Sequence, residues 1–474
     1  MGQYRKRQLT LNRWLREREG EASLARRAEQ AAARGAPEPP GVGKTFERVA
    51  GPKAPRRLYH WWDEPGSVKR RIDAGYVRRK LEEKAAELGA PTITALLQRK
   101  LGLTRSQATT YILWYGKKSD AIEVRTSTLR RFCMLLGIPF EEFERLGVIR
   151  DRRFPFDLHS PAVAKLYTHI LNEGSLTGAL PRLEAKYVNR DPVLHRIVID
   201  LVKELGGQYK IPPPSKEGIE TRIDSTTGRI LVAAGLPPGR KVISNPPLHP
   251  AVLRDRELAI YHVHTTFIEE GYFTLTLNRH GKLELHVSFG RNVDVTNLIP
   301  HHIRERLVNN YKGKSLSPLA VGDDVTYDIL TNRFNAPLAL IQEYFLIRNI
   351  LREYNPDLKM PSIRCSYVHV SKEGRVTANY EFSIRSRNAV QAFYEAFFED
   401  FHTGTWKEEK LRRQVELLHE YGDRKLAPSE AQEVKQEMAQ WRTVPNNWIL
   451  EKIRELLPEA DWINNPKYAR RILK

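Results

Sequence analysis

Leu166-Tyr167-Thr168-His169-Ile170-Leu171-Asn172-Glu173-Gly174 is an apolar run at helical spacing that ends in a carboxylate and a glycine, and Ser175-Leu176 can start a strand after it. Ninety-seven residues later the order returns as Val263-His264-Thr265-Thr266-Phe267-Ile268-Glu269-Glu270-Gly271, with Tyr272-Phe273 opening the next strand. Matched chemistry in matched order points to an internal duplication. Glycine after a helix is an ordinary stop, but a glutamate in the last turn faces the negative end of the helix dipole, at a cost of about 0.3–1 kcal/mol when exposed. A cation removes that cost. Two such helices side by side also set Glu173 against Glu270, a repulsion that a divalent metal between them relieves.

Reading outward, Asp191 caps and Pro192 opens an amphipathic helix from Val193 to Leu205, closed by Gly206-Gly207. Phe273 to Phe289 reads as a hairpin around His280-Gly281, with Phe273, Leu275, Leu277, Leu283, Leu285, Val287 and Phe289 inward. Thr274, Thr276, Asn278, Lys282, Glu284, His286 and Ser288 face the other way, free for a ligand. A second hairpin, Ile363 to Arg385, turns at Lys372-Glu373-Gly374 with Thr377, Asn379, Ser383 and Arg385 outward, and Asn388 to Phe398 follows as a helix.

These segments resemble the LAGLIDADG homing-endonuclease family in its two-motif, single-chain form. Gly235-Leu236-Pro237-Pro238-Gly239-Arg240-Lys241 looks like that family's loop before the second repeat. The resemblance covers residues 158–402, with the first repeat at about 158–250 and the second at about 251–402. It implies an α+β fold with a pseudo-symmetric, duplicated αββαββα-like core whose saddle-shaped sheets lie in the DNA major groove. It further implies that Glu173 and Glu270 hold Mg²⁺ as catalytic carboxylates, with Lys241 as a basic helper and Glu269 pointing elsewhere on its helix. Nucleic-acid contacts then fall to Thr274, Asn278, Lys282, His286, Asn379 and Arg385. Tyr167, His169 and His264 depart from the small residues through which that family's helix pair packs. The two histidines are expected to make ordinary buried hydrogen bonds rather than to bind metal.

Residues 76–150 read as an all-α domain. Ile93, Leu96, Leu97 and Leu101 share a helical face, Gly102 ends that helix, and Thr104 caps the next one, Arg105 to Trp114. Further helices follow from Leu129 to Gly137 and, after Pro139, through Phe140, Phe143 and Leu146. This resembles a helix-turn-helix domain of the phage-repressor type, with Arg105, Ser106, Gln107, Thr109 and Thr110 on the helix that reads base edges. A plain helical bundle would carry the same pattern.

The chain has 474 residues, a formal net charge of +20 and a pI near 9.8, a surplus that attracts polyanions and makes binding salt-dependent. Residues 1–57 alone hold 14 Lys or Arg against 6 Glu, so they read as a basic arm with Ala36-Pro37-Glu38-Pro39-Pro40 as its linker. A helix from Leu11 to Ala33 fits the arm. Gly41-Val42-Gly43-Lys44-Thr45 imitates the end of a phosphate-binding loop, but Glu38 stands where the first glycine belongs, and nucleotide hydrolysis is not expected. Two cysteines, Cys133 and Cys365, build neither a disulfide framework nor a zinc site. The Arg, Glu and Lys content with few Met and Cys leans towards a hot environment. No apolar run of about 18 residues and no signal-peptide core occur, so an intracellular, cytoplasmic protein without membrane contact is expected. The chain begins with Met and lacks a terminal His-Asn, unlike an intein, and residues 408–474 form a charged helical tail.

Three readings follow. The first is a Mg²⁺-dependent, site-specific endonuclease acting as a monomer on double-stranded DNA. The second is a transcription regulator that binds DNA on the same scaffold without cutting, and the third is an RNA-binding splicing helper.

Overall fold

The computed structural model describes residues 57–109, 121–358 and 360–472. The basic arm up to residue 56, with the Leu11–Ala33 helix and the 41–45 loop, and Thr110 fall outside the described residues. The first described module opens with β1 (Leu58–Tyr59) and β2 (Lys69–Asp73), then α1 (Ala74–Glu87) and α2 (Ile93–Leu101). Gly102 ends α2 at φ 59°, and a helix opens at 105 behind a reciprocal cap, in which Thr104 Oγ1 accepts from Gln107 N and Gln107 Oε1 accepts from Thr104 N. After β3 (Ala121–Arg125) come α3 (Thr126–Leu136) and α4 (Phe140–Arg145). The expected all-α module therefore carries a strand pair, β2 with β3 antiparallel. Its alternation was hidden because an inward position holds Arg70, which reads as surface but is 3% exposed.

Arg70 is buried among charges. Glu64, fully enclosed, lies 2.6 Å from Arg229 and 3.4 Å from Arg70, while Arg70 also donates to Asp151 (2.7 Å) and to Thr226 (2.8 Å). Arg152 reaches Asp224 at 2.5 Å. These pairs join the first module to α7 (Ser225–Ala233) of the region that follows.

After β4 (Phe156–Asp157), which pairs with β1, the chain runs through α5 (Pro161–Asn172), β5 (Gly174–Thr177), β6 (Glu184–Asn189), α6 (Pro192–Glu204), β7 (Tyr209–Lys210), β8 (Ile219–Ile223) and α7. Ser160, Asp191 and Asp224 cap α5, α6 and α7 with side-chain acceptors, each worth about 1 kcal/mol. The four strands lie in the order β5-β6-β8-β7. A short helix, α8 (Lys241–Ser244), precedes α9 (Arg256–Glu269), β9 (Tyr272–Leu277) and β10 (Leu283–Asp294). Then come α10 (His301–Tyr311), β11 (Ser315–Leu316), α11 (Asp324–Thr331), α12 (Leu338–Tyr354), β12 (Arg364–Val370), β13 (Val376–Ile384) and α13 (Arg387–Phe397). The second sheet has the order β11-β12-β13-β10-β9. Leaving out the two-residue β11, both sheets run first, second, fourth, third. Phe273, Leu283, Leu285, Val287 and Phe289 are buried as the hairpin alternation predicts.

The tail forms α14 (Trp406–Tyr421), α15 (Pro428–Gln440), α16 (Asn446–Leu456) and α17 (Pro466–Ile472). One apolar core runs from Tyr59 to Val434, and a smaller one joins Ile199 and Ile219 to Ile449, Ile453 and Trp462, so the tail is packed on α6. The whole is α+β with antiparallel sheets. No described helix is long and apolar enough to cross a membrane.

Candidate functional site

Helices α5 and α9 pack against each other through a polar seam. His169 Nδ1 lies 2.6 Å from Glu269 Oε1 and Nε2 lies 2.8 Å from the Tyr261 hydroxyl. Thr168 Oγ1 sits 2.8 Å from His262 Nδ1, and Asn172 Nδ2 donates to Glu269 (2.7 Å) and Thr266 (3.3 Å). Tyr187, from β6, donates to Glu269 at 2.5 Å. Glu269 therefore points into the seam, fully satisfied, as its place on the helix predicts. Tyr167 sends its hydroxyl away to the Pro247 carbonyl at 2.9 Å, whereas His264 departs from the expected ordinary hydrogen bond: it is buried against Phe398 and Phe401, and among the described residues neither ring nitrogen finds a hydrogen-bond partner, Glu408 lying 3.7 Å away. The bulky residues that depart from small-residue packing thus lie beside the seam or hydrogen-bond across it.

Both helices end alike, with Glu173 at φ −102°, ψ 0° and Glu270 at φ −112°, ψ −16°. Neither following glycine has positive φ, so the ordinary left-handed stop is not the reason for them. A Cβ on Gly174 would fall 2.7 Å from the Ile170 Cα and the Lys186 carbonyl, and on Gly271 2.7 Å from the Phe267 carbonyl. Glycine is required because the strand leaves across its own helix at backbone contact distance. The sharp turn leaves both glutamates on the wall of one cleft of about 730 Å³, shared with Lys241, Arg291, Asn379 and Lys407.

Cations meet the helix ends. Lys241 Nζ donates to the carbonyls of Ile170 (3.3 Å), Leu171 (2.8 Å) and Asn172, and Lys407 Nζ donates to the Glu269 carbonyl at 3.3 Å. Each helix C-terminus thus receives one ammonium, where the dipole is negative. Burial lowers both lysines to about 8, with Glu270 and Glu173 pulling the other way. Arg291, on β10, donates to Glu270 (3.1 Å), Asn172 (2.7 Å) and Glu343 (2.7 and 2.9 Å). Burial opposes charge on Glu343, yet Arg291 and His262 hold it below the usual carboxylate range. Glu270 is pushed up by burial, against the pull of Arg291 and Lys241.

Glu173 differs. Among the described residues nothing hydrogen-bonds to its carboxylate, and burial, then Glu270 and Glu269, raise it to about 7. It can therefore exchange a proton near neutrality. Glu173 and Glu270 offer hard oxygen donors in one cleft. Among the described residues no ready-made cluster of three His, Cys, Asp or Glu metal ligands occurs.

The remaining candidates disperse. Asn379 lines the cleft, taking a hydrogen bond from Ser366 (2.6 Å) and giving one to Asn292 (3.2 Å). Thr274 and His286 lie on β9 and β10, while Lys282 and Arg385 lie just outside the ends of β10 and β13, His286 3.4 Å from Glu284 and Arg385 3.2 Å from Ser383. Asn278 builds the hairpin turn, accepting from His280 N (2.9 Å) and Lys282 N (3.1 Å). Arg105 and Ser106 are exposed and Thr109 is half-buried, whereas Gln107 is used in the helix cap. Sequence reasoning missed Lys407, Arg291 and Glu343. Lys407 opens a charged helix and Glu343 sits within an amphipathic one, so neither carries a local signal. Only Arg291 was within reach of the alternation, since it takes an inward position on β10, in step with Phe289 and Val293, where the pattern calls for an apolar residue. No family model and no curated protein matches the chain.

Proposed function

We propose that the chain is a LAGLIDADG-type DNA-binding protein that hydrolyses phosphodiester bonds at the Glu173–Glu270 cleft, with an N-terminal helix-turn-helix module and the basic arm widening its footprint. The observation that carries this reading is the paired helix ends: two glutamates at matched C-caps, on one cleft, each helix end met by one lysine. The repeated strand order supports the duplicated core. The net charge of +20 supports a polyanionic partner, and one chain holding both glutamates needs no second copy.

Mg²⁺ suits the donor set. Glu173 is an unpartnered carboxylate raised first by burial and then by the like charges of Glu270 and Glu269, and a hard divalent cation relieves both penalties. Glu173 and Glu270 would hold it, and when bound it supplies an acidified water and a neutralised leaving oxygen. The chain's own part is electrostatic. Lys241, Lys407 and Arg291 make the cleft attractive to phosphate, and Glu173 takes up or gives up a proton near pH 7 only while no cation holds it.

The test is cleavage of plasmids and genomic fragments from the source organism in Mg²⁺. Linearisation at defined sites, abolished by Glu173→Gln or Glu270→Gln, is expected. The Arg291 clamp on Glu270 favours a second reading, a regulator that binds without cutting. Sequence-specific, Mg²⁺-independent binding unchanged by both substitutions, with no cleavage, overturns the first reading and supports the second. Preference for a structured RNA over duplex DNA would instead support the splicing helper.

A further inference from the structure

A separate cleft of about 450 Å³ opens between the start of α6 and the tail helices. Three tryptophans line it: Trp406 stacks on Trp441 with ring centres 4.7 Å apart and meets Trp448 edge-on at 5.9 Å. All three are only partly covered. The Trp406 indole Nε1 is buried and finds no acceptor among the described residues, an orphan donor of a kind folded proteins rarely leave. Arg190, Lys410 and Arg442 share the lining, and among the described residues none of their side chains has an ion pair or hydrogen bond. The carboxylates nearby are committed: Asp191 accepts from Val193 N and Trp406 N, and Glu269 is held in the helix seam.

We propose that this cleft binds a nucleotide, its base against the tryptophans and its phosphate on Arg190, Lys410 and Arg442. Flat aromatic faces hold bases of any identity, the orphan indole N–H supplies a donor for a base or sugar oxygen, and unpaired cations answer a phosphate. The nucleotide comes either free or as an unpaired unit of a nucleic-acid strand. The site does not rest on cleavage at Glu173 and Glu270.

The full-length protein is titrated with AMP, with a short single-stranded oligonucleotide, and with the same oligonucleotide carrying abasic units, following tryptophan fluorescence and binding anisotropy. Quenching by AMP assigns a free nucleotide; quenching by the base-bearing oligonucleotide alone assigns an unpaired unit of a strand. Trp441→Ala and the exposed Arg442→Glu are each expected to weaken binding about tenfold or more. Glu173→Gln is expected to leave it unchanged, so loss of cleavage and loss of this site read out separately. The proposal is overturned by no quenching with either ligand, by equal quenching with the abasic strand, or by unchanged affinity in both Trp441→Ala and Arg442→Glu, whose fold is checked by circular dichroism.

Discussion

Arg291 donates to Glu270 across 3.1 Å, while among the described residues no donor reaches the carboxylate of Glu173. Two glutamates at matched helix ends are therefore unequal in charge. Glu270 is paired with a guanidinium shared with Glu343, whereas Glu173, raised by burial and by Glu270 and Glu269, has only the charges of Lys241 and Lys407 to oppose that.

That inequality sets a pH dependence. In the folded chain Glu173 is raised from 4.5 to about 7, so between those values the native state keeps a proton that the unfolded chain has lost. Stability then falls as pH rises from about 4.5 to about 7 and is flat above. Glu173→Gln should stabilise the protein at pH 8 by about 1–3 kcal/mol and by far less at pH 5. Thermal melts at the two pH values check this; an equal gain at both would sink the assignment.

The Arg291 clamp should behave as a unit. Arg291→Met leaves Glu343, 1% exposed, without its guanidinium and is expected to cost about 3–5 kcal/mol. Adding Glu343→Met should recover part of the loss, because the stranded charge is removed as well. Urea denaturation of both single variants and the double variant measures the coupling, and strict additivity would contradict it.

The glycines after the glutamates should be irreplaceable for a steric reason. Gly174→Ala and Gly271→Ala each drive a Cβ to 2.7 Å from backbone atoms, for an expected loss of about 2 kcal/mol or more. Gly102→Ala, at φ 59° with open space around it, should cost only about 1 kcal/mol. Comparable losses at all three, read by denaturant midpoints, would contradict this.

Glu64 should govern the attachment of the first module. It is fully buried between Arg229 and Arg70, so Glu64→Leu strands two guanidiniums and is expected to cost about 3–5 kcal/mol. Limited proteolysis should then cut within residues 57–150 first. Unchanged protection would show that the apolar core alone holds the module.

Sequence alone determined what depends on local periodicity: the helical runs from Leu166 and from Val263, whose starts at 161 and 256 only the structure supplies, the hairpin of β9 and β10, the Asp191 cap, and the repeated Glu-Gly endings. Each of these is set by neighbours a few residues apart, and spacing records them directly. Tertiary structure alone decided what neutralises the glutamates and why the glycines stand there. Lys407 reaches the Glu269 carbonyl across 138 residues, and Arg291 reaches Asn172 across 119. Asn278 and Gln107, outward in the pattern, proved to be used by a turn and a cap. A lysine bound for a buried helix end and one bound for water look the same in a charged stretch. The difference is made by the desolvation and the opposite charge that distant segments bring when they pack.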